Sequence, residues 1–140
     1  MYLISAYFDE NTNKILKHLQ QRIADKTGND FMIRNNVMPH LTISAIEARN
    51  VDVLIPAFEK VCRGKLQSLE EKSVANNTIN IVSVGQLFPR VIYAAPVLNE
   101  YMMNLSISIY NEFATIPETN ISKFYQPYSW MPHITLGKCL

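Results

Sequence analysis

Two short segments hold side chains able to do chemistry on a phosphate: Pro39-His40-Leu41-Thr42-Ile43 and Pro132-His133-Ile134-Thr135-Leu136. Phosphodiester cleavage needs one group to take a proton from the attacking water or hydroxyl and another to give a proton to the leaving oxygen. An imidazole serves either role, because its unperturbed pKa of about 6.5 leaves both protonation states accessible near neutrality. Such transfers typically contribute about 10²–10⁴-fold in rate. Threonine hydroxyls donate hydrogen bonds to the non-bridging oxygens, where negative charge concentrates. This scheme needs no metal and no cofactor.

Both segments read as β-strands. Side chains alternate faces along a strand, so His40 and Thr42 share one face, and His133 and Thr135 do the same. Leu41 and Ile43, like Ile134 and Leu136, take the other face and can pack against helices. Residues two apart on one face are roughly 6.5–7 Å apart, within reach of one phosphate. A single strand histidine is ordinarily satisfied by its neighbours, and threonine is common in strands for its β-branching. The repetition of the pattern, taking in two of the chain's three histidines, favours a site instead. Zinc usually takes three or four Cys, His or carboxylate ligands. No third ligand has suggestive spacing, and His18, at the polar edge of a helix, reads as solvated.

The elements that must position these residues also repeat. Tyr2 to Phe8 reads as a strand, and Asn11 or Thr12 as the cap of a helix with Ile15, Leu16, Leu19 and Ile23 on its apolar face, ended by Gly28 and Asn29. After a polar stretch comes the strand Pro39 to Ala45. Asn50 can cap a second helix with Val51, Leu54, Ile55, Phe58, Val61 and Cys62 on one face, kinked or started late by Pro56 and ended by Gly64. Strands are expected over Leu66–Val74 and Thr78–Leu87, with an Asn76-Asn77 turn between them. Val91 to Ala95 reads as another strand. A helix from about Asn99 follows, with Met102, Leu105, Ile109 and Phe113 as its stripe, then a loop to Trp130, then the strand Pro132 to Gly137. The order strand, helix, loop, strand thus occurs twice, each time ending on a Pro-His-apolar-Thr-apolar segment.

The paired His40-Leu41-Thr42-Ile43 and His133-Ile134-Thr135-Leu136 resemble the two HxTx signatures of the 2H phosphoesterase superfamily, which includes 2′-5′ RNA ligase-like proteins and cyclic nucleotide phosphodiesterases. The resemblance covers essentially the whole chain. It implies an α+β fold: duplicated strand-helix-strand lobes with pseudo-twofold symmetry, antiparallel sheets around a central cleft, and helices outside. It implies one domain over 1–140, with lobe-forming repeats at about 1–66 and 78–140. The implied function is metal-independent hydrolysis of a 2′,3′-cyclic phosphate or a 2′-5′ linkage in a nucleotide or RNA end. His40 and His133 would be the acid/base pair, and Thr42 and Thr135 the phosphate binders. ATP-independent 2′-5′ RNA ligation and a non-catalytic nucleotide- or RNA-binding module are the alternatives.

Further candidates are aromatic. Tyr125, Tyr128 and Trp130 precede the second motif and could stack on a base or close a loop over the core. Tyr7 and Tyr93, on the first strand of each repeat, share the parity that could face the cleft. Arg34, Arg90 and Lys138 could help hold a phosphate. The thirteen Lys and Arg residues are scattered, with one cluster at Lys60, Arg63 and Lys65, and the net charge is +1. The basic stripe of a protein that tracks long nucleic acid is absent, which leaves a nucleotide, an RNA end or another small phosphoester as substrate. With 48% apolar residues the chain can fill a core. It has no 18-residue apolar run and no signal-peptide pattern, so neither a membrane span nor secretion is expected. Cys62 and Cys139, far apart, suit reduced thiols in a cytoplasmic protein, with Cys62 as a small core residue. The sequence leaves the oligomeric state open.

Overall fold

A computed structural model describes residues 1–71 and 78–139, with backbone alone over 65–71. The fold is α+β. Its elements are β1 (Tyr2–Ala6), α1 (Glu10–Thr27), α2 (Phe31–Arg34), β2 (Leu41–Glu47), α3 (Ile55–Glu71), β3 (Ile81–Leu87), β4 (Val91–Pro96), α4 (Glu100–Phe113), β5 (Asn120–Ile121) and β6 (Ile134–Lys138). Among the described residues the strands make one six-stranded sheet in the order β1-β2-β6-β4-β3, with β5 on β2. The pairs β2 with β5, β2 with β6, β6 with β4 and β4 with β3 are antiparallel. Among the described residues no helix is long and apolar enough to cross a membrane.

Contacts divide the chain into two compact units. The first comprises Met1–Ile4, Ile43–Asn80 and Leu98–Met131. Its core includes Ile43, Ile46, Leu54, Val61, Met102, Ile109, Phe113, Ile121 and Trp130. Helices α3 and α4 pack together there, tied at the surface by Lys60 and Glu112 at 2.8 Å. The second unit comprises Ser5–Thr42, Ile81–Val97 and Pro132–Leu140. In it α1 and α2 pack on β6, and Leu16, Met32, Leu41, Ala94, Ile134 and Leu136 are buried.

The helices start and stop where local chemistry satisfies their free backbone groups. Asp9, not Asn11 or Thr12, caps α1. Its carboxylate accepts from the Thr12 N–H at 2.9 Å and the Thr12 hydroxyl at 2.8 Å. Thr12 is thus the cap's partner, and the helix begins earlier than its apolar stripe implies. Gly28 closes α1 at φ 72°, a left-handed conformation that glycine adopts without a Cβ penalty. The side chain turned inward from α1 beside Leu16 is Gln20, 3% exposed, whereas Ile15 is 63% exposed.

Asn50 does not cap α3. Its side chain accepts from Val53 N–H in a turn before the helix, which starts late, with Pro56 as its second residue, where a missing N–H costs nothing. Gly64 does not end it either. The following Lys-Leu-Gln-Ser-Leu-Glu-Glu is rich in good helix formers and carries α3 to Glu71, so the strand expected from Leu66 is helix over 66–71. The rest of that strand and the Asn76-Asn77 turn lie outside the described residues. The inward face of α3 is set by Leu54 and Val61. Val51, Ile55, Phe58 and Cys62 are exposed, so Cys62 is not a core residue.

Asn99, at about the expected start of the helix, caps α4, accepting from Met102 N–H at 3.0 Å, and its amide also donates to the Thr78 carbonyl at 2.7 Å. Asn99→Ala removes both bonds and lowers stability by about 1–2 kcal/mol in urea unfolding; an unchanged midpoint would show the cap to be idle. The hydrogen bonds from Thr12 hold the Asp9 carboxyl below its ordinary value of 3.8. Because the folded value is the lower one, its contribution is complete above pH 3.8 and is lost as pH falls through the depressed folded value. Asp9→Asn, which keeps an acceptor, should flatten part of the acid limb of a stability-versus-pH curve. A limb identical to wild type would refute this.

Candidate active site

The site is built on the start of β2 and the start of β6, both within the second unit. Pro39 and Pro132 are buried and offer no N–H to a ladder. The strands begin only at Leu41 and Ile134, so each histidine stands at the mouth of its strand, half-buried. Leu41 pairs with Ile134, and these side chains are 1% and 0% exposed.

One step along an antiparallel pair in either direction sets His40 across from Thr135 and Thr42 across from His133. Alternation puts all four on the face opposite Leu41 and Ile134. Directly opposed residues have Cβ atoms about 4.5–5.5 Å apart, against roughly 6.5–7 Å along a strand. The result is a small rectangle with the imidazoles on one diagonal and the hydroxyls on the other. Thr42 is 7% exposed, while Thr135 is half-buried.

The His40 ring is oriented by the backbone. Its Nδ1 lies 2.8 Å from the Met38 carbonyl oxygen. A carbonyl only accepts, so Nδ1 carries the hydrogen, and the neutral ring presents the lone pair of Nε2. This is the state required of a general base, and the bond persists when the ring is protonated.

Two tyrosines named from parity lie against the histidines. The Tyr7 ring centroid is 6.1 Å from that of His40, tilted by 46°. Tyr93, opposite Thr135 in the β4–β6 ladder, is 5.9 Å from His133 in an edge contact at 72°. Both distances fall within the range favoured by aromatic pairs. Sequence reasoning missed Ser5, whose hydroxyl is 3.4 Å from that of Thr42. Ser5, on β1, has the parity of Tyr7 just beyond that strand, which was the available signal. It also missed Gln20, whose amide donates at 3.4 Å to the Thr135 carbonyl; an amide inside an apolar stripe reads as solvent-facing.

Tyr125, Tyr128 and Trp130 belong to the first unit. Trp130 is 6% exposed and part of the core there. Tyr125 is half-buried, and burial pushes its phenol above the ordinary value. Tyr128 is 84% exposed, with left-handed backbone at φ 66°. Arg34 pairs with Asp30 on α2 at 3.9 Å. The Lys138 ammonium lies 5.7 Å from the centroid of the Phe31 ring, beyond the irregularity in β6 between Thr135 and Gly137. His18 is exposed. Among the described residues no three His, Cys, Asp or Glu side chains converge as a metal site.

No family model matches the chain, and no curated protein matches it. The chemistry of the site therefore rests on its own geometry: two imidazoles and two hydroxyls on one sheet face, with aromatic rings beside the imidazoles.

The Met38 contact makes a direct prediction. In ¹⁵N spectra of the ring at high pH, His40 should appear as the Nδ1–H tautomer. Predominant Nε2–H would contradict the orientation described.

Proposed function

We propose that this protein is a metal-independent phosphodiesterase acting on a nucleoside 2′,3′-cyclic phosphate or a 2′-5′ linkage, with His40 and His133 as its acid/base pair. The observation that carries the reading is the β2–β6 register, Leu41 opposite Ile134, which gathers both His-x-Thr pairs on one face. Two imidazoles on a diagonal can address the attacking and leaving oxygens on opposite sides of one phosphorus. Thr42 and Thr135, on the other diagonal, donate to the non-bridging oxygens. One histidine starts neutral and the other protonated, and the two exchange these states over the reaction. Run backwards, the same exchange joins a 2′,3′-cyclic phosphate to a hydroxyl, so ligation uses the same groups.

We also read the chain as two duplicated strand-helix-strand lobes related by a pseudo-twofold. Leu41 and Ile134 stand in the same sequence relation as the two histidines and the two threonines, so a local dyad through that pair exchanges the motifs. The Tyr7–His40 and Tyr93–His133 contacts, at 6.1 and 5.9 Å, correspond under it.

The test is hydrolysis of the four nucleoside 2′,3′-cyclic monophosphates, with EDTA present, over a range of about pH 5–9 that brackets imidazole titration. Wild type should give a bell-shaped profile. His40→Ala and His133→Ala should each lose about 10²–10⁴-fold in kcat. Either variant hydrolysing at the wild-type rate would sink the mechanism.

A further inference from the structure

We propose that Tyr93, seated over Gly85, is a positioning residue that fixes the imidazole of His133; this builds on the two-histidine reading above. Gly85 lies opposite Tyr93 in the β3–β4 ladder. A Cβ built on Gly85 would meet Tyr93 Oη at 2.5 Å, Cζ at 2.6 Å and Cε1 at 3.1 Å. The far half of the tyrosine ring therefore occupies the space that any other side chain at position 85 would fill. Gly85 is not among the residues with positive φ, so its backbone conformation does not require glycine. Glycine weakens a strand interior and has a reason there when another group approaches closely. Here that group is the Tyr93 ring.

The same ring meets His133 edge-on at 5.9 Å and 72°. The torsion that turns an imidazole about its own axis is broad and roughly two-fold, so a ring needs a neighbour to hold its plane. For His40 the Met38 carbonyl does this through Nδ1. At His133 the tyrosine adds a wall beside the ring, alongside the other interactions that residue makes, and Gly85 fixes where that wall stands. Tyrosine is suited to the task because it has few rotatable bonds and a flat face long enough to span from β3 to the motif. The contact is made by the ring, so phenylalanine should serve nearly as well. Tyr7, in the corresponding place beside His40, is 66% exposed.

The test compares Tyr93→Phe, Tyr93→Ala, Gly85→Ala and the Gly85→Ala/Tyr93→Ala double variant. The readouts are kcat and KM on a nucleoside 2′,3′-cyclic phosphate and the ring signals of His40 and His133 by NMR. Misplacing a reacting group by about 1 Å can cost up to 10²-fold. Tyr93→Ala and Gly85→Ala should therefore each lower kcat by about ten- to a hundredfold, with KM near wild type, and shift the His133 signals but not those of His40. Tyr93→Phe should restore wild-type values. In the double variant Gly85→Ala should add no further loss, because the clash it creates has gone. That variant also decides the matter if Gly85→Ala alone fails to fold. Wild-type kcat and unmoved His133 signals in Tyr93→Ala would overturn the proposal. So would a Tyr93→Phe variant that loses affinity alone, which would make the hydroxyl a substrate contact. If wild type hydrolyses neither a cyclic phosphate nor a 2′-5′ linkage, the acid/base reading fails, and the NMR signals still decide whether Tyr93 holds His133.

Discussion

The site depends on one cross-strand pair, Leu41 with Ile134. Their burial at 1% and 0% exposure fixes which face of β2 and β6 is apolar. A slip of one residue in either strand would send a histidine and a threonine to the opposite face. Each such side chain, fully buried, contributes roughly 1.5–3 kcal/mol, so the register that assembles the polar rectangle is the one the hydrophobic effect selects. The gathering of the four polar side chains is a by-product of packing on the other side of the sheet.

The prolines complete this arrangement. Proline has no N–H and is tolerated at the first residue of a strand. Pro39 and Pro132 stand one residue before each histidine and the ladder starts one residue after it, leaving the imidazole at a strand mouth, half-buried instead of enclosed. On β2 a histidine two residues further in would have the burial of Thr42 or deeper, since Leu41 to Ile46 are all buried. Such burial would disfavour the charged form that an acid requires. Access is thus set by where the ladder stops.

Much of this was legible because it depends on short-range patterns. Strand alternation gave the parity of His40, Thr42, His133 and Thr135, and the same rule gave Tyr7 and Tyr93 the parity that could face a cleft. Gly28 and Asn99 were legible because helix ends have few chemical solutions. What failed was what needs three dimensions. Phe58 and Cys62 share a helix face with Leu54 and Val61 by period, yet α3 turns only the latter pair inward. Gly64 reads as a stop, but glycine in a helix costs about 1 kcal/mol relative to alanine, which good helix formers on either side outweigh. Gln20 reads as polar surface until the Thr135 carbonyl appears beside it. The four-residue α2 is too short to leave a periodic signal.

The cations sharpen the view of how a phosphate would be held. Lys60 and Arg63, the described members of the one basic cluster, are engaged by Glu112 and Glu59 on the surface. Arg34 is turned to Asp30, and Lys138 lies over the Phe31 ring. Surface pairs of this kind contribute little to stability, about 0–1 kcal/mol. On the proposed reading, recognition then falls to short-range hydroxyl and imidazole donors. These discriminate by geometry and depend weakly on salt, unlike the multiple lysine and arginine contacts that follow a nucleic-acid backbone. A site of that kind selects a phosphate already bent into shape, as a five-membered cyclic ester is, over one that must be drawn in from a long polyanion.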